Sequence, residues 1–237
     1  MKEKKLRIGN QTIAAREKVE YLGDILHEEG LAKSVMQTVD KRYGRIFSAV
    51  IEISAVLDDY RINTIGGLSA GLEIFELALL PSLLYNAETW TNIDINTENK
   101  LESLQNCMFR SLFAVPRSTP KPILRSDLGH LSVREKIHVK KLTFIHHLKN
   151  LKPESLGAEI YSLQVRNRFP GLVNECRDLI KLYQLPDIID TNFEVSKNCW
   201  KRTVIKAVKE KSHEILKREF MTLSKLRDLR NEEENEL

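Results

Sequence analysis

The sequence predicts a mainly α protein, a helical bundle entered through an N-terminal β-hairpin. Three observations carry this. Seven prolines and ten glycines in 237 residues are too few for a turn-rich all-β architecture. From Leu31 onward apolar residues return every three to four positions, which is the helical period. Before Leu31 two short β-prone runs, Leu6 to Ile13 and Val19 to Leu26, sit among polar punctuation. With 42% hydrophobic residues the chain has enough apolar side chains for a core and too many for a disordered protein.

Residues 1–30 read as one or two hairpins. Isolated pairs of strands cannot bury a core, so this piece must lean on the helices that follow or on a partner. The first helix places Leu31, Val35, Val39, Tyr43, Ile46, Val50 and Ile53 on one face and Lys33, Lys41 and Arg45 on the other. Asp58-Asp59 reads as the cap of a second helix, running through Ile65, Leu68, Leu72 and Phe75 to Leu79-Leu80. The Gly66-Gly67 pair weakens its first turns, and Pro81 must kink or interrupt it.

A third helix follows Trp90, with Leu101, Leu104, Met108 and Leu112 on one face and a stop at Pro116. The stretch from Pro116 to Pro122 is expected to be extended. Ser132-Val133-Arg134-Glu135 has the spacing of a capping box, in which serine and glutamate satisfy orphan backbone donors at a helix start; that helix runs to about Asn150. Shorter helices are expected near 154–166 and 171–183, then a long one with Trp200, Val204, Val208 and Ile215 on one stripe. The expected organisation is a hairpin over 1–30, a bundle over 31–115, a second helical domain over 116–230 and a disordered tail over 231–237.

No run approaches the roughly 18 apolar residues of a bilayer span, and the Met-Lys-Glu-Lys-Lys start is unlike a secretory signal, so an intracellular protein without a membrane partner is expected. Cys107, Cys176 and Cys199 are widely spaced and form neither a zinc-finger pattern nor a disulfide framework. Asp58-Asp59 lies between helical runs, unlike the strand-borne carboxylates of a two-metal site. His130, His138, His146 and His147 gather in one region without a His-Glu-x-x-His spacing. Nucleophile elbows and glycine-rich phosphate loops are absent from the sequence. No catalytic residue, metal or cofactor is assigned.

Cations are the remaining signal. Arg134, Lys136, Lys140, Lys141 and Lys149 crowd the helix after Ser132, with Glu135 as its only acid; they are read either as a phosphate-neutralising patch or as a solvated face. The last helix carries Lys197, Lys201, Arg202, Lys206, Lys209, Lys211, Lys217 and Arg218. There the interleaved Glu210, Glu214 and Glu219 point to ion pairs along the helix.

Lys18-Val19-Glu20-Tyr21-Leu22-Gly23 resembles the Tyr-Leu-Gly primer-grip hairpin of non-LTR (LINE-type) retrotransposon reverse transcriptases. Leu80-Pro81-Ser82-Leu83-Leu84-Tyr85-Asn86-Ala87-Glu88-Thr89-Trp90 is similar to the Pro-x-Leu-Leu-Tyr-Gly-x-Glu-x-Trp segment of their thumb. Thr119-Pro120, Leu124-Arg125-Ser126-Asp127-Leu128-Gly129 and Lys141-Leu142-Thr143-Phe144-Ile145-His146-His147-Leu148 are similar to elements after the thumb. Asn86 and Asp127 stand where the family commonly has glycine and glutamate. The resemblance spans Leu6 to Tyr183, and the family's fingers and catalytic palm would lie upstream of it.

The resemblance implies a thumb-like bundle and connector-like helices that hold RNA or an RNA-DNA hybrid, mainly through backbone contacts, without catalysis of their own. A polymerase core encoded elsewhere is an implied partner. By resemblance Tyr21, Leu22 and Gly23 form the grip, Lys33, Arg42 and Arg45 meet phosphates, and Arg134, Lys140 and Lys141 make a second patch. The alternatives are a helical protein-interaction module docking around Tyr21, Leu22 and Ile25, or a remnant without function.

Overall fold

The computed structural model describes residues 5–8, 11–14, 16–59, 65–126, 129–191 and 193–222. Two antiparallel hairpins open the chain, β1 (Lys5–Ile8) with β2 (Gln11–Ala14) and β3 (Lys18–Tyr21) with β4 (Asp24–His27). The turn of the second is made by Leu22 and Gly23, both at positive φ (49° and 84°), the sign that a two-residue hairpin turn matching strand twist requires. β4 lies on the following helix: the Ile25 N–H donates to Thr38 Oγ1 at 2.8 Å and the His27 N–H to Ser34 Oγ at 2.9 Å. The hairpin thus leans on a helix, as isolated strands must.

Helix α1 (Leu31–Asp59) is longer than the sequence suggests, and Asp58 and Asp59 close it instead of opening the next one. An uninterrupted helical period with no Gly or Pro near Asp58 lets the helix run through both aspartates. Helix α2 (Ile65–Ile74) continues into a π-helical turn over Phe75–Leu79 and a short α3 (Leu80–Leu83). The expected disturbance at Pro81 takes this form. Proline has no N–H and its ring crowds the carbonyl four residues back; widening the preceding turn, where the Leu80 N–H reaches Phe75 O, relieves the crowding.

Helix α4 (Ile95–Leu112) is capped by Asp94, which accepts from the Asn96 and Thr97 N–H groups. The segment expected to be extended instead ends in a short helix, α5 (Lys121–Ser126), with Pro122 in its first turn where a missing N–H is harmless. The capping box forms as its spacing dictates: the Glu135 N–H donates to Ser132 Oγ at 3.1 Å and the Ser132 N–H to Glu135 Oε2 at 2.8 Å, opening α6 (Val133–Lys149). Helices α7 (Leu156–Asn167), α8 (Leu172–Leu182) and α9 (Lys197–Thr222) complete the fold. The expected tail lies outside the described residues.

Two apolar clusters hold these helices. One joins α1, the π turn, α3 and α4 around Phe75, Leu83, Leu101 and Leu104; the other joins α8 and α9 around Cys176, Ile188 and Trp200. Helix α6 belongs to both, giving Val133 and Ile137 to the first and Leu142 and Ile145 to the second. A helix packed on several sides is a hub, and its polar side chains must find partners inside the fold. No helix among the described residues is long and apolar enough to cross a membrane.

Candidate nucleic-acid interface

Helix α9 docks on α6 through Trp200, Val204, Val208 and Ser212, all buried, at a spacing of four. The Trp200 indole N–H donates to Leu142 O at 2.7 Å and fixes the rotation of the helix. That rotation puts Arg202, Lys206, Lys209, His213 and Lys217 on the opposite face, all exposed, at i, i+4, i+7, i+11 and i+15. At 1.5 Å per residue the stripe is about 22 Å long.

The interleaved glutamates take only part of this charge. Glu214 pairs with Lys211 (3.1 Å) and Arg218 (3.5 Å), and Lys206 lies 3.9 Å from Glu210. Among the described residues, Lys197, Lys201, Arg202, Lys209 and Lys217 form no ion pair, so the expectation of ion pairing holds for some cations of α9 and fails for these.

The cations of α6 behave in the opposite way. Lys141 is buried and donates to Glu175 Oε2 at 2.6 Å. Arg134 pairs with Glu98 at 2.7 Å and Lys140 with Glu88 at 3.2 Å. Lys136 pairs with Glu76, and Lys149 donates to the Thr191 and Phe193 carbonyls. Burial lowers the Lys136 pKa against the opposing pull of Glu76. Burial also acts to raise the pKa of Glu76, but the hydrogen bonds from His130 and Lys136 outweigh it and leave that carboxyl below its usual range. Lys141 therefore has no surface to offer a phosphate, and Arg134 and Lys140, though partly exposed, would have to leave a carboxylate to meet one.

The histidines do not converge. His130 contacts Glu76 at 3.2 Å, His138 Nδ1 shares a hydrogen bond with the Tyr183 hydroxyl at 2.7 Å, His146 donates from Nε2 to Val195 O at 2.8 Å, and His147 lies against Phe144. Burial, with Lys141 and Arg134 nearby, pushes the His138 pKa down to about 3, which keeps this imidazole neutral. Glu17, His27 and Glu29 do approach one another. His27 Nδ1, however, accepts the Glu29 N–H at 3.1 Å, so the neutral ring carries its proton on Nε2, which lies 3.4 Å from Glu17 Oε1 without a hydrogen bond and presents no lone pair there to a metal.

At the hairpin the two motifs that resemble grip and thumb meet. Arg42 donates through Nη2 to Gly23 O (3.0 Å) and Asp24 Oδ1 (2.6 Å), and through Nη1 to Leu83 O (3.4 Å) and Tyr85 O (2.7 Å). Its guanidinium lies 5.6 Å from the Tyr85 ring centroid and 5.9 Å from that of Trp90. Asn86 adopts φ 61°, a left-handed conformation that asparagine tolerates, and donates from Nδ2 to Asp24 Oδ2 at 2.6 Å. Arg42 is therefore tied into the fold as a clamp, and to meet a phosphate it would have to leave these partners. Tyr21 and Leu22 project at the hairpin tip, 63% and 69% exposed. Arg45 is exposed beside a cleft of about 340 Å³ shared with Gly23 and Tyr85, while Lys33 pairs with Glu29 at 2.5 Å a full three turns away on α1. Asp127 and Leu128 lie outside the described residues.

Comparison with protein-family models, with curated proteins and with solved structures finds no match to this chain. The α9 stripe is the feature that sequence reasoning passed over. Its signal was the spacing of cations on one face opposite Trp200, Val204 and Val208, hidden by the nearby glutamates.

Proposed function

We propose that this chain is a nucleic-acid-holding module, related through its motifs to the thumb and connector of LINE-type reverse transcriptases, that grips RNA or an RNA-DNA hybrid by phosphate contacts and performs no reaction of its own. The observation that carries the reading is the charge on α9: Arg202, Lys209 and Lys217 are exposed on one face and form no ion pair among the described residues, whereas the cations of α6 are engaged inside the fold. Steps of seven and eight residues between Arg202, Lys209 and Lys217 bring an unpaired positive charge forward by about 10 to 12 Å at a time, along a path that an extended polyanion can follow. Contacts to phosphates position a strand without reading it, so weak sequence preference follows.

Fluorescence anisotropy of the folded protein against single-stranded RNA, duplex DNA and an RNA-DNA hybrid, between about 50 and 200 mM salt, tests this. Binding with a steep salt dependence is expected. The R202Q/K209Q/K217Q variant should flatten the log-log slope on duplex by about 2 to 3, since each phosphate contact contributes about 0.9. A folded protein that binds none of the three, a triple variant with an unchanged slope, or a preference for phosphatidylserine vesicles overturns the reading.

A second reading has its own observation. Val19, Tyr21, Leu22 and Leu26 leave an apolar, exposed surface on the hairpin, as a docking face for a polymerase core encoded elsewhere or another protein would. Concentration-dependent association abolished by Y21S/L22S, in the absence of salt-sensitive nucleic-acid binding, favours this module over the first.

A further inference from the structure

The α9 stripe does not end on a flat surface. Between the C-terminal half of α9 and the Gly129–Leu131 segment lies a groove of about 810 Å³, the size of a small-ligand site. Leu131 and Leu216 line it, Phe220 stands in its wall with 39% of its surface exposed, and Lys209, His213 and Lys217 border it. The three bordering residues are the last three members of the stripe, so the groove opens directly beside the path assigned to phosphates.

An apolar recess with an exposed aromatic ring, bordered by Lys209 and Lys217 and followed for about two turns by Lys206 and Arg202, matches a ligand that is flat and apolar at one point and anionic elsewhere. We propose that the groove takes an unpaired nucleobase, stacked on Phe220, from the strand whose phosphates follow α9; this rests on the phosphate-binding reading above. Charge complementarity selects the occupant: an uncharged apolar segment would leave Lys209 and Lys217 without partners, whereas a nucleotide supplies a base for the recess and a phosphate on each side. Paired bases present only their edges, so the groove gives the protein a preference for a strand with an unpaired end over a blunt duplex.

The test uses the full chain with two RNA-DNA hybrids, one blunt and one carrying a three-nucleotide single-stranded RNA overhang with 2-aminopurine in it. The overhang substrate should bind about tenfold more tightly, within the range stacking of one base supplies, and 2-aminopurine fluorescence should be quenched on binding. F220A should remove both the preference and the quench, with F220Y restoring them. Equal affinity for the two hybrids without quenching overturns the nucleobase groove while leaving the phosphate reading intact; failure to bind either hybrid overturns both. Poly-glutamate that binds as tightly as single-stranded RNA and is released by F220A assigns the groove to an acidic protein segment, which also overturns the proposal.

Discussion

The Arg42 guanidinium and the Asp24 carboxylate meet at 2.6 Å with side chains only 11% and 15% exposed, and Asp24 also accepts from Asn86, 62 residues further along the chain. Around it the hairpin turn, the Leu83–Asn86 turn and the Trp90 ring close on one cation. Losing either partner leaves the other charged and largely dry, a heavier loss than the pair's own attraction suggests.

Arg42→Ala is therefore expected to lower stability by about 2 to 4 kcal/mol. Hydrogen exchange should show loss of protection concentrated in β3 and β4. Arg42→Lys should recover less than half of it, because an ammonium cannot fork between Asp24 and two sets of carbonyls. Uniform loss of protection along the chain would contradict the clamp.

Leu22 carries a different strain. A leucine at φ 49° sits where asparagine or glycine is favoured, and it is largely exposed, so packing does not explain it. Leu22→Asn is expected to raise stability by about 0.5 to 1 kcal/mol in urea unfolding. If the hairpin tip touches nucleic acid or a partner, the same substitution weakens that contact, and the two measurements move in opposite directions.

Lys141 separates structural from interfacial cations. Its Lys141→Ala variant should lose about 2 kcal/mol of stability, from the broken pair with Glu175 and the lost packing of its stem. Its salt slope for nucleic-acid binding should equal that of the unmodified protein at a temperature where both are folded. A flattened slope would return α6 to the interface.

His138 makes stability depend on pH. Its pKa in the folded protein is about 3 against an ordinary 6.5, so below that ordinary value the unfolded chain takes up a proton that the folded chain refuses. The stabilisation is fully present above about pH 6.5 and is lost as pH falls toward 3, by at most about 1.4 kcal/mol per pH unit. Denaturant melts from pH 7 to 4 should show this decline, and His138→Gln should flatten it. An identical decline in the variant would place the effect in the carboxylates.

Helix positions were legible wherever periodicity was sustained and a cap was local. Ser132 and Glu135 announce α6 because a capping box is made by residues three apart, and the apolar stripe of α1 requires no distant partner to be recognised. Asp58-Asp59 misled because aspartates that can cap a start are equally tolerated at an end. The α5 helix was missed because two prolines flanking Lys121 look like an extended link, although Pro122 in a first turn is compatible with helix.

The charge pattern was the least legible. Arg134, Lys140 and Lys141 stood out because their own helix has one acid, yet Glu98, Glu88 and Glu175 come from elsewhere in the chain to meet them. Lys209 and Lys217 looked neutralised because acids are close in sequence, yet Glu210 and Glu214 face Lys206, Lys211 and Arg218 instead. The sequence by itself determined the mainly α class, the hairpin, the capped start of α6 and the inward stripe of α9, all of which depend on residues within a turn or two of each other. Only the tertiary structure decided which cations remain free, because an ion pair depends on distance in space, and α6 lies at the centre of the packing while the outer face of α9 does not.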